Sequence, residues 1–294
     1  MANQDRTILR ELAKQVAEVA ALPVQQETIA LWKALNALKP VRPMVAIDQV
    51  PWNEMNVEDE LTCRCEDGFC RGLEWRLRVT LYSWRHMRAD MVVHPTVEIG
   101  KRIRNTGFGV GVVEQTAATD PRSSVLSHHY VDQLRTEADL EKIRMPEVSH
   151  DEAATAQAVE KAQEIFDGIL EVRVQGACPS FAPLDQITCW RGAEALLWDI
   201  VDRPEFVHAI IARLTEAHLC ALDQLDAQGL LGSGQQVIHC TGAYTDELPA
   251  PGFDPARPRA RDIWTAGMSQ IFSTLSPAMH EEFELPYFER WYSR

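Results

Sequence analysis

Residues 67 to 94 read DGFCRGLEWRLRVTLYSWRHMRADMVVH and combine a helix pattern with a strand pattern. Apolar residues recur at steps of three or four from Phe69 to Trp84, which is the spacing of an amphipathic helix. The run 89–94 that follows is short and apolar and ends in a polar residue, as is typical of a buried parallel strand. We therefore expect a helix over 67–87 and a strand over 89–94.

An earlier strand is predicted upstream, at Met44–Asp48, after the helix-breaking segment Lys39–Pro43. The resulting order of strand, helix and strand predicts a right-handed βαβ unit. Residues 5–38 carry helical spacing with an interruption at Pro23. They predict an N-terminal helical extension over 1–43.

Further βα units are predicted downstream. Glycines and β-branched residues over 101–140 indicate an inserted hairpin or excursion. The remaining predicted elements are a helix at 149–170, a strand at 171–175, a helical region at 186–228 broken near Arg203-Pro204, a strand at 235–240 and a helix beginning at Ser276-Pro277. Four strands that alternate with helices indicate an α/β fold.

Composition restricts the class of partner. The chain has 294 residues, 46% of them hydrophobic, and a formal net charge of -14, so it would repel the phosphates of nucleic acids and of anionic membranes. No run of eighteen apolar residues is present, and the N-terminus lacks the apolar core of a signal peptide. Seven cysteines, an odd number, favour reduced thiols. We expect a cytoplasmic protein that binds small molecules or other proteins.

Polar residues at strand ends are the first candidates for a site, because active sites of parallel α/β folds gather at the carboxyl ends of strands. These residues are Asp48, His94, Gln175 and the pair His239-Cys240. Solvent contact or helix capping is the alternative role for each of them.

The sequence offers two alternative sets of metal-binding residues. His239 and Cys240 carry the imidazole and thiolate that zinc prefers, although adjacent strand residues point to opposite faces, and a core cysteine beside a polar histidine is the alternative. Glu60, Glu74 and His94 could share one rim and leave a fourth zinc position open, unless Glu74 lies on a solvated helix face.

Aromatic residues near the predicted mouth include Trp52 and Tyr244, and they could form a stacking wall for a planar substrate or belong to the core. The chain has no Gly-x-Ser-x-Gly motif. Acyl transfer therefore has no support.

Four segments carry a family resemblance: VRPMVAIDQVPWNEM (41–55), CEDGFCRGLEWRLRVTLYSWRHMRADMVVHP (65–95), GAYTDELP (242–249) and SPAMHEEFELPY (276–287). Together they resemble the uroporphyrinogen decarboxylase superfamily, in the branch associated with corrinoid methyltransferase systems. The resemblance implies a TIM-type (β/α)8 barrel, which needs eight strands in about 250 residues. We expect only the first four βα units of such a barrel, over 44–294, after the N-terminal extension 1–43.

The same resemblance implies transfer of a methyl group from a small methylated compound, methoxylated aromatics included, to a corrinoid on a separate partner protein. Zinc would act as a Lewis acid on the leaving group, and Glu60, Glu74 and His94 look like the Glu/Glu/His pattern of corrinoid-dependent aryl ether demethylases. Asp48 or His239 would be the proton donor or polar anchor.

Two other functions stay open. A uroporphyrinogen decarboxylase-type lyase would hold substrate carboxylates with an arginine pair after the first strand, where this chain reads Ile47–Trp52 without arginine. A non-catalytic half-barrel would instead pair with a copy of itself or with a missing C-terminal half, because an open barrel exposes strand edges and an apolar face.

Overall fold

The computed structural model describes residues 3–39, 41–120, 126–239 and 241–294, and the fold is mixed α/β with about half of the chain helical. The helices are α1 (Asn3–Ala20), α2 (Val24–Asn36), α3 (Trp52–Met55), α4 (Gly68–His86), α5 (Glu152–Phe166), α6 (Pro183–Arg191), α7 (Ala193–Asp202), α8 (Pro204–Ala227), α9 (Pro277–Phe283) and α10 (Leu285–Tyr292). The strands are β1 (Thr96–Gly100), β2 (Ile103–Asn105), β3 (Glu114–Ala117), β4 (Ser127–Tyr130), β5 (Val148–His150), β6 (Glu171–Gln175), β7 (Val237–Ile238) and β8 (Thr241–Gly242).

The described strands form four two-stranded sheets, and no closed barrel is found among them. The expected TIM-type barrel is therefore not confirmed, whereas the α/β class is. The chain divides into two compact units: unit 1 is Met1–Arg102, Asp151–Gly176 and Gly234–Pro249, and unit 2 is Ile103–His150, Ala177–Ser233 and Ala250–Arg294. Residues on both sides of the expected domain boundary at 43/44 thus belong to unit 1.

Unit 1 is built on helices α1, α4 and α5, whose apolar faces meet in one core. Its fully buried residues are Leu9, Ala13, Cys65, Cys70, Ala162, Ile165 and Phe166. The start of α4 is capped by Asp67, whose Oδ1 accepts a hydrogen bond from the Cys70 amide at 3.0 Å and binds Lys161 Nζ at 2.8 Å. The helix predicted over 67–87 is confirmed.

A parallel pair of strands carries the βαβ character of unit 1. Strand β1 pairs with β6 from Thr96↔Glu171 to Gly100↔Gln175, and α5 precedes β6. The strand predicted at 171–175 is confirmed. The strand predicted at 89–94 is wrong, because the ladder begins only at Thr96.

The strand predicted at Met44–Asp48 is also wrong, since residues 41–50 have no regular secondary structure. Val45 and Ile47 are each 51% exposed rather than buried. The Val45 carbonyl accepts a hydrogen bond from the Asp90 amide at 3.0 Å, but the Val45 amide donates to the Asp90 carboxylate at 2.8 Å. A side chain therefore occupies the place of the strand partner, and no ladder extends from it.

Of the strand predicted at 235–240, only the two residues of β7 form a strand, and β7 pairs antiparallel with β8. The chain reverses at His239, whose φ of 48° lies in the left-handed region. A reversal at this point ends the strand after two residues. Cys240 lies outside the described residues.

Unit 2 is mainly helical, and α6 to α10 enclose its core. Its fully buried side chains include Leu134, Phe181, Leu184, Ile187, Leu196, Ile210, Leu214 and Phe272. The predicted break near Arg203-Pro204 separates α7 from α8, and Ser276 caps α9 by accepting from the Met279 amide at 3.3 Å. The predicted excursion contains the hairpin β3–β4.

Within the described ranges, no helix has the length and apolar character needed to cross a membrane.

Candidate functional site

A cavity of about 250 Å³ in unit 1 brings together Asp48, His239 and Tyr244, three residues that the sequence nominates for catalysis or substrate binding. They come from segments that lie up to 196 positions apart, as the numbers 48 and 244 show. The apolar part of the wall consists of Trp32, Ala46, Ile47, Met87, Met91, Val92 and Val237. The cavity is therefore mostly apolar with a few polar groups, as small-molecule sites are.

Helix α2 positions one wall of this cavity. The buried Trp32 donates from Nε1 to the Asp90 carbonyl at 2.8 Å. The backbone of Gly242 lies so close to the indole that a Cβ added there would be 2.6 Å from Trp32 Cδ2. Asn36 Nδ2 donates to the carbonyls of Gly242 at 2.9 Å and Tyr244 at 2.7 Å. These contacts hold the segment that carries Tyr244.

Asp90 organises the opposite segment. Its carboxylate accepts hydrogen bonds from Arg42 at 2.9 Å and from the Val45 amide at 2.8 Å. The hydrogen bond from Arg42 is the main reason that the pKa of Asp90 is lowered. Asp90 is therefore a paired, ionised group that anchors the segment leading to the exposed Asp48.

Tyr244 is hydrogen-bonded to His94, with 2.7 Å between the phenol oxygen and Nε2. The two rings stack with centroids 5.8 Å apart and an interplanar angle of 21°. Burial raises the pKa of Tyr244, and burial together with Arg173 lowers the pKa of His94. Both groups are neutral at pH 7, so the phenol keeps a proton that it can donate. His94 lies behind Tyr244 and does not line the cavity itself.

Glu74, a predicted metal ligand, is fully buried on α4 and its carboxylate is occupied. Oε2 accepts from the amides of Arg64 at 2.8 Å and Cys65 at 2.7 Å, and Oε1 accepts from Arg78 Nε at 2.8 Å. Burial alone would raise the pKa of Glu74, but the hydrogen bonds from Cys65 and Arg78 outweigh it and lower the pKa. The group is a structural anchor for the loop before α4, not a residue on a solvated helix face.

The carboxylate of Glu60 binds two other side chains: its Oε2 lies 2.7 Å from Arg85 and its Oε1 lies 2.7 Å from His86. His94 is engaged with Tyr244. Across the ranges that the structure describes, no three His, Cys, Asp or Glu residues form a group that could hold a metal ion. The expected ligand set of Glu60, Glu74 and His94 is therefore not assembled, because each member has a different partner.

Of the remaining predicted site residues, Trp52 lies away from the cavity, His239 lines it, and Cys240 lies outside the described residues. Trp52 begins α3 and packs edge to face on Trp75 and Tyr82, with centroids 6.3 and 6.1 Å away, and it does not line the cavity. His239 is exposed at the cavity. Its predicted metal partner Cys240 lies outside the described residues, so that pair stays a prediction.

The residues of this site that sequence reasoning missed include Trp32, Arg88 and Asp90. Trp32 fits the helical spacing of α2, and Arg88 lies in the polar segment after α4. Neither residue therefore stands out in the sequence. The one relevant signal in the sequence was the segment GAYTDELP, in which Gly242 and Tyr244 lie close together and form the part of the cavity wall that contacts Trp32.

Comparison of the chain with protein-family models, with curated proteins and with solved structures finds no match. The resemblance to the uroporphyrinogen decarboxylase superfamily therefore stays a prediction.

Proposed function

We propose that the unit 1 cavity binds a small methylated compound and that the chain catalyses transfer of its methyl group to a corrinoid carried by a partner protein. The observation that carries the proposal is the convergence of Asp48, His239 and Tyr244 on one mostly apolar cavity. Apolar walls suit a methyl or methoxy group, while the polar residues can orient the atom that bears it.

Tyr244 has the properties needed at the leaving atom. Its phenol is protonated at pH 7, since the usual pKa of tyrosine is about 10 and burial raises it further, and the hydrogen bond to His94 holds the ring in place. Asp48 and His239 line the same cavity, where Asp48 can orient the substrate and His239 can protonate it. This division gives Tyr244 and His239 the role of proton donors and Asp48 that of a polar anchor.

The corrinoid supplies a low-valent cobalt nucleophile that accepts the methyl group. The bond between the methyl carbon and its heteroatom breaks, and its electron pair stays on the heteroatom. An ether oxygen leaving in this way takes a proton from Tyr244 or His239, whereas an ammonium nitrogen leaves as the neutral amine and needs none. Glu60, Glu74 and His94 would not hold the zinc together, since each has a different partner, and the pair His239 and Cys240 stays the alternative zinc set.

A barrel-type architecture built from βα units also belongs to this proposal. Parallel pairing supports it within each unit: β1 pairs with β6 in unit 1, and the isolated parallel bridges Ala177↔Leu231 and Phe181↔Gly267 lie in unit 2. Parallel pairing needs crossover connections, which are the elements of such barrels.

The test is a methyl-transfer assay with free cob(I)alamin as acceptor, followed by loss of its Co(I) absorption. Donors would be 4-methoxybenzoate, 4-methoxybenzyl alcohol and N,N-dimethylglycine. We expect turnover with at least one donor and loss of turnover of an ether donor in a Tyr244→Phe, His239→Gln double variant. Turnover that is absent for every donor, or turnover of an ether donor that is unchanged in the double variant, would refute the proposal.

A second candidate is a role in assembly, favoured by exposed apolar side chains on unit 1. Val45 and Ile47 are each 51% exposed and Val237 is 61% exposed. Exposed apolar clusters mark interaction surfaces. Light scattering after gel filtration distinguishes the candidates: a dimer that dissociates in a Val45→Asp, Ile47→Asp variant supports assembly, and a monomer that transfers methyl groups supports catalysis.

The decarboxylase alternative has less support. The cavity of about 250 Å³ is below the usual range of about 300 to 1,000 Å³ for drug-sized ligands, and a porphyrinogen is larger still. Arg88 is the single arginine among its described lining residues. One guanidinium cannot hold the several carboxylates of such a substrate.

A further inference from the structure

Two side chains of opposite charge line the cavity without forming an ion pair. They are Asp48, on the segment before α3, and Arg88, just after α4. Among the described residues, neither side chain has a hydrogen-bond or ion-pair partner. Each charge is therefore available to a ligand.

The third charge on the wall is already compensated. Asp90 binds Arg42 and the Val45 amide, so its carboxylate has no need of a ligand. Neighbouring arginines are likewise engaged, as Arg85 is with Glu60 at 2.7 Å. Asp48 and Arg88 thus contribute one negative and one positive charge to the lining of a single small cavity.

The guanidinium carbon of Arg88 lies over the Trp84 ring, 4.3 Å from its centre. Stacking uses the face of a guanidinium and leaves the N–H donors at its edge free. Such an edge matches the two oxygens of a carboxylate in a bidentate pair. The stacked geometry lowers the entropy lost when an anion binds.

We infer that the cavity binds a small zwitterion, with a carboxylate on Arg88 and an N-methylated ammonium directed at Asp48. The apolar side chains of Met91, Val92 and Ile47 suit the N-methyl groups. The net charge of the ligand is zero, which matches the sum of the two unpaired charges on the wall. The inference rests on the proposed function, because it names the substrate class of the same site.

Calorimetric titration of the full chain with four probes tests the inference. The probes are N,N-dimethylglycine as the zwitterion, 4-methoxybenzoate as the anion, tetramethylammonium as the cation and 4-methoxybenzyl alcohol as the neutral compound. We expect N,N-dimethylglycine to bind most tightly. Replacement Arg88→Met or Asp48→Asn should weaken its binding about tenfold or more, as expected for losing a charge-assisted contact.

Matched controls are Arg290→Met and Glu281→Gln, exposed substitutions in unit 2 that should leave the affinity unchanged. Because Asp48 and Arg88 are themselves exposed, their variants should fold, and circular dichroism checks this. Tighter binding of a singly charged or neutral probe, no binding of any probe, or unchanged affinity in both cavity variants would overturn the inference.

The two proposals fail separately. Methyl transfer from 4-methoxybenzyl alcohol without binding of N,N-dimethylglycine would overturn the zwitterion and leave the methyltransferase standing. Binding of N,N-dimethylglycine that depends on both Arg88 and Asp48, with no methyl transfer from any donor, would overturn the methyltransferase and leave the zwitterion site standing.

Discussion

The Nε2 atom of His94 lies 2.7 Å from the phenol oxygen of Tyr244, although the two residues are 150 positions apart in the chain. One residue follows the segment after α4, and the other follows the hairpin β7–β8. The contact therefore joins two separate segments of unit 1, and it places a neutral imidazole directly behind the proton donor of the cavity.

Replacement Tyr244→Phe should lower the free energy of unfolding by about 1 kcal/mol, because a ring nitrogen of the half-buried His94 loses its partner. Urea unfolding measures the change. Tyr82→Phe is the matched control, since Tyr82 makes ring contacts and its hydroxyl has no hydrogen-bond partner in the described structure. Equal effects of the two substitutions would contradict the assigned contact.

Replacement Gly242→Ala should destabilise unit 1 by about 1 to 3 kcal/mol and weaken ligand binding, because the new Cβ would overlap the Trp32 indole. Gly72→Ala is the control: a Cβ there meets nothing within 4 Å, and α4 should gain up to about 1 kcal/mol from the better helix former. Thermal unfolding and calorimetry measure both effects. A Gly242→Ala variant as stable as the parent would argue against the close approach.

Replacement Glu74→Gln should cost roughly 3 kcal/mol of stability, because a buried carboxylate paired with Arg78 and two amides is lost. The exposed Glu66→Gln should change stability by less than about 0.5 kcal/mol. Zinc binding, measured by calorimetry on both variants, separates the roles. A Glu74→Gln variant of normal stability with selectively weakened zinc binding would restore Glu74 as a metal ligand.

His218 should make unit 2 sensitive to acid. Burial lowers its pKa to about 4, from a usual value of about 6.5, and its Nε2 lies 2.9 Å from Gln186 Oε1. Between these pH values the unfolded chain binds the proton and the folded one does not, so stability should fall by up to roughly 3 kcal/mol as pH drops from 6.5 to 4.

The measurement is urea unfolding at pH 7 and pH 4.5 for the parent chain, a His218→Gln variant and the exposed control His129→Gln. We expect His218→Gln to lose part of the pH dependence and His129→Gln to keep it. The opposite ranking would show that His218 is not the buried neutral group described.

His280 should have the reverse pH dependence. Its Nδ1 faces the Glu284 carboxylate and its Nε2 lies 3.0 Å from the Phe272 carbonyl, so only the protonated ring donates to both. The hydrogen bond with Glu284 is the main reason that its pKa is raised. Its stabilising effect is complete below the unfolded pKa of about 6.5 and is lost as pH rises through the higher folded value.

NMR titration of the His280 ring checks this. Glu284→Gln should lower the pKa of His280 toward its usual value, and Glu281→Gln, an exposed neighbour on the same helix, should leave it unchanged. A raised pKa that survives in Glu284→Gln would exclude Glu284 as its cause.

Elements with local signals could be predicted from the sequence. Helix α4 combines apolar spacing with the Asp67 cap, and α9 follows the Ser276-Pro277 start. Strand β6 was predicted with its observed bounds. The caps and apolar spacing of these helices act within one or two turns of chain, so their residues are neighbours in the sequence, whereas the ladder of β6 is completed by the distant β1.

With the exception of β6, the strands expected at these positions could not be predicted correctly from the sequence. Residues 44–48 and 89–94 have strand-like composition, yet a strand exists only where another chain segment completes its ladder. At Val45 the partner is the Asp90 side chain, and at β7 it is the adjacent β8. Composition alone cannot show which of these partners is present.

The sequence by itself determined the helices α4, α5 and α9, the strand β6 and the α/β class, and it predicted as site residues Asp48, His239 and Tyr244, which line the cavity. The tertiary structure alone decided how charges pair: it engaged Glu60 and Glu74 with arginines, whereas the side chains of Asp48 and Arg88 have no ion-pair partner among the described residues. Periodicity and caps are local, whereas charge pairing depends on distances between segments far apart in the chain. The chemistry of the cavity follows from those distances.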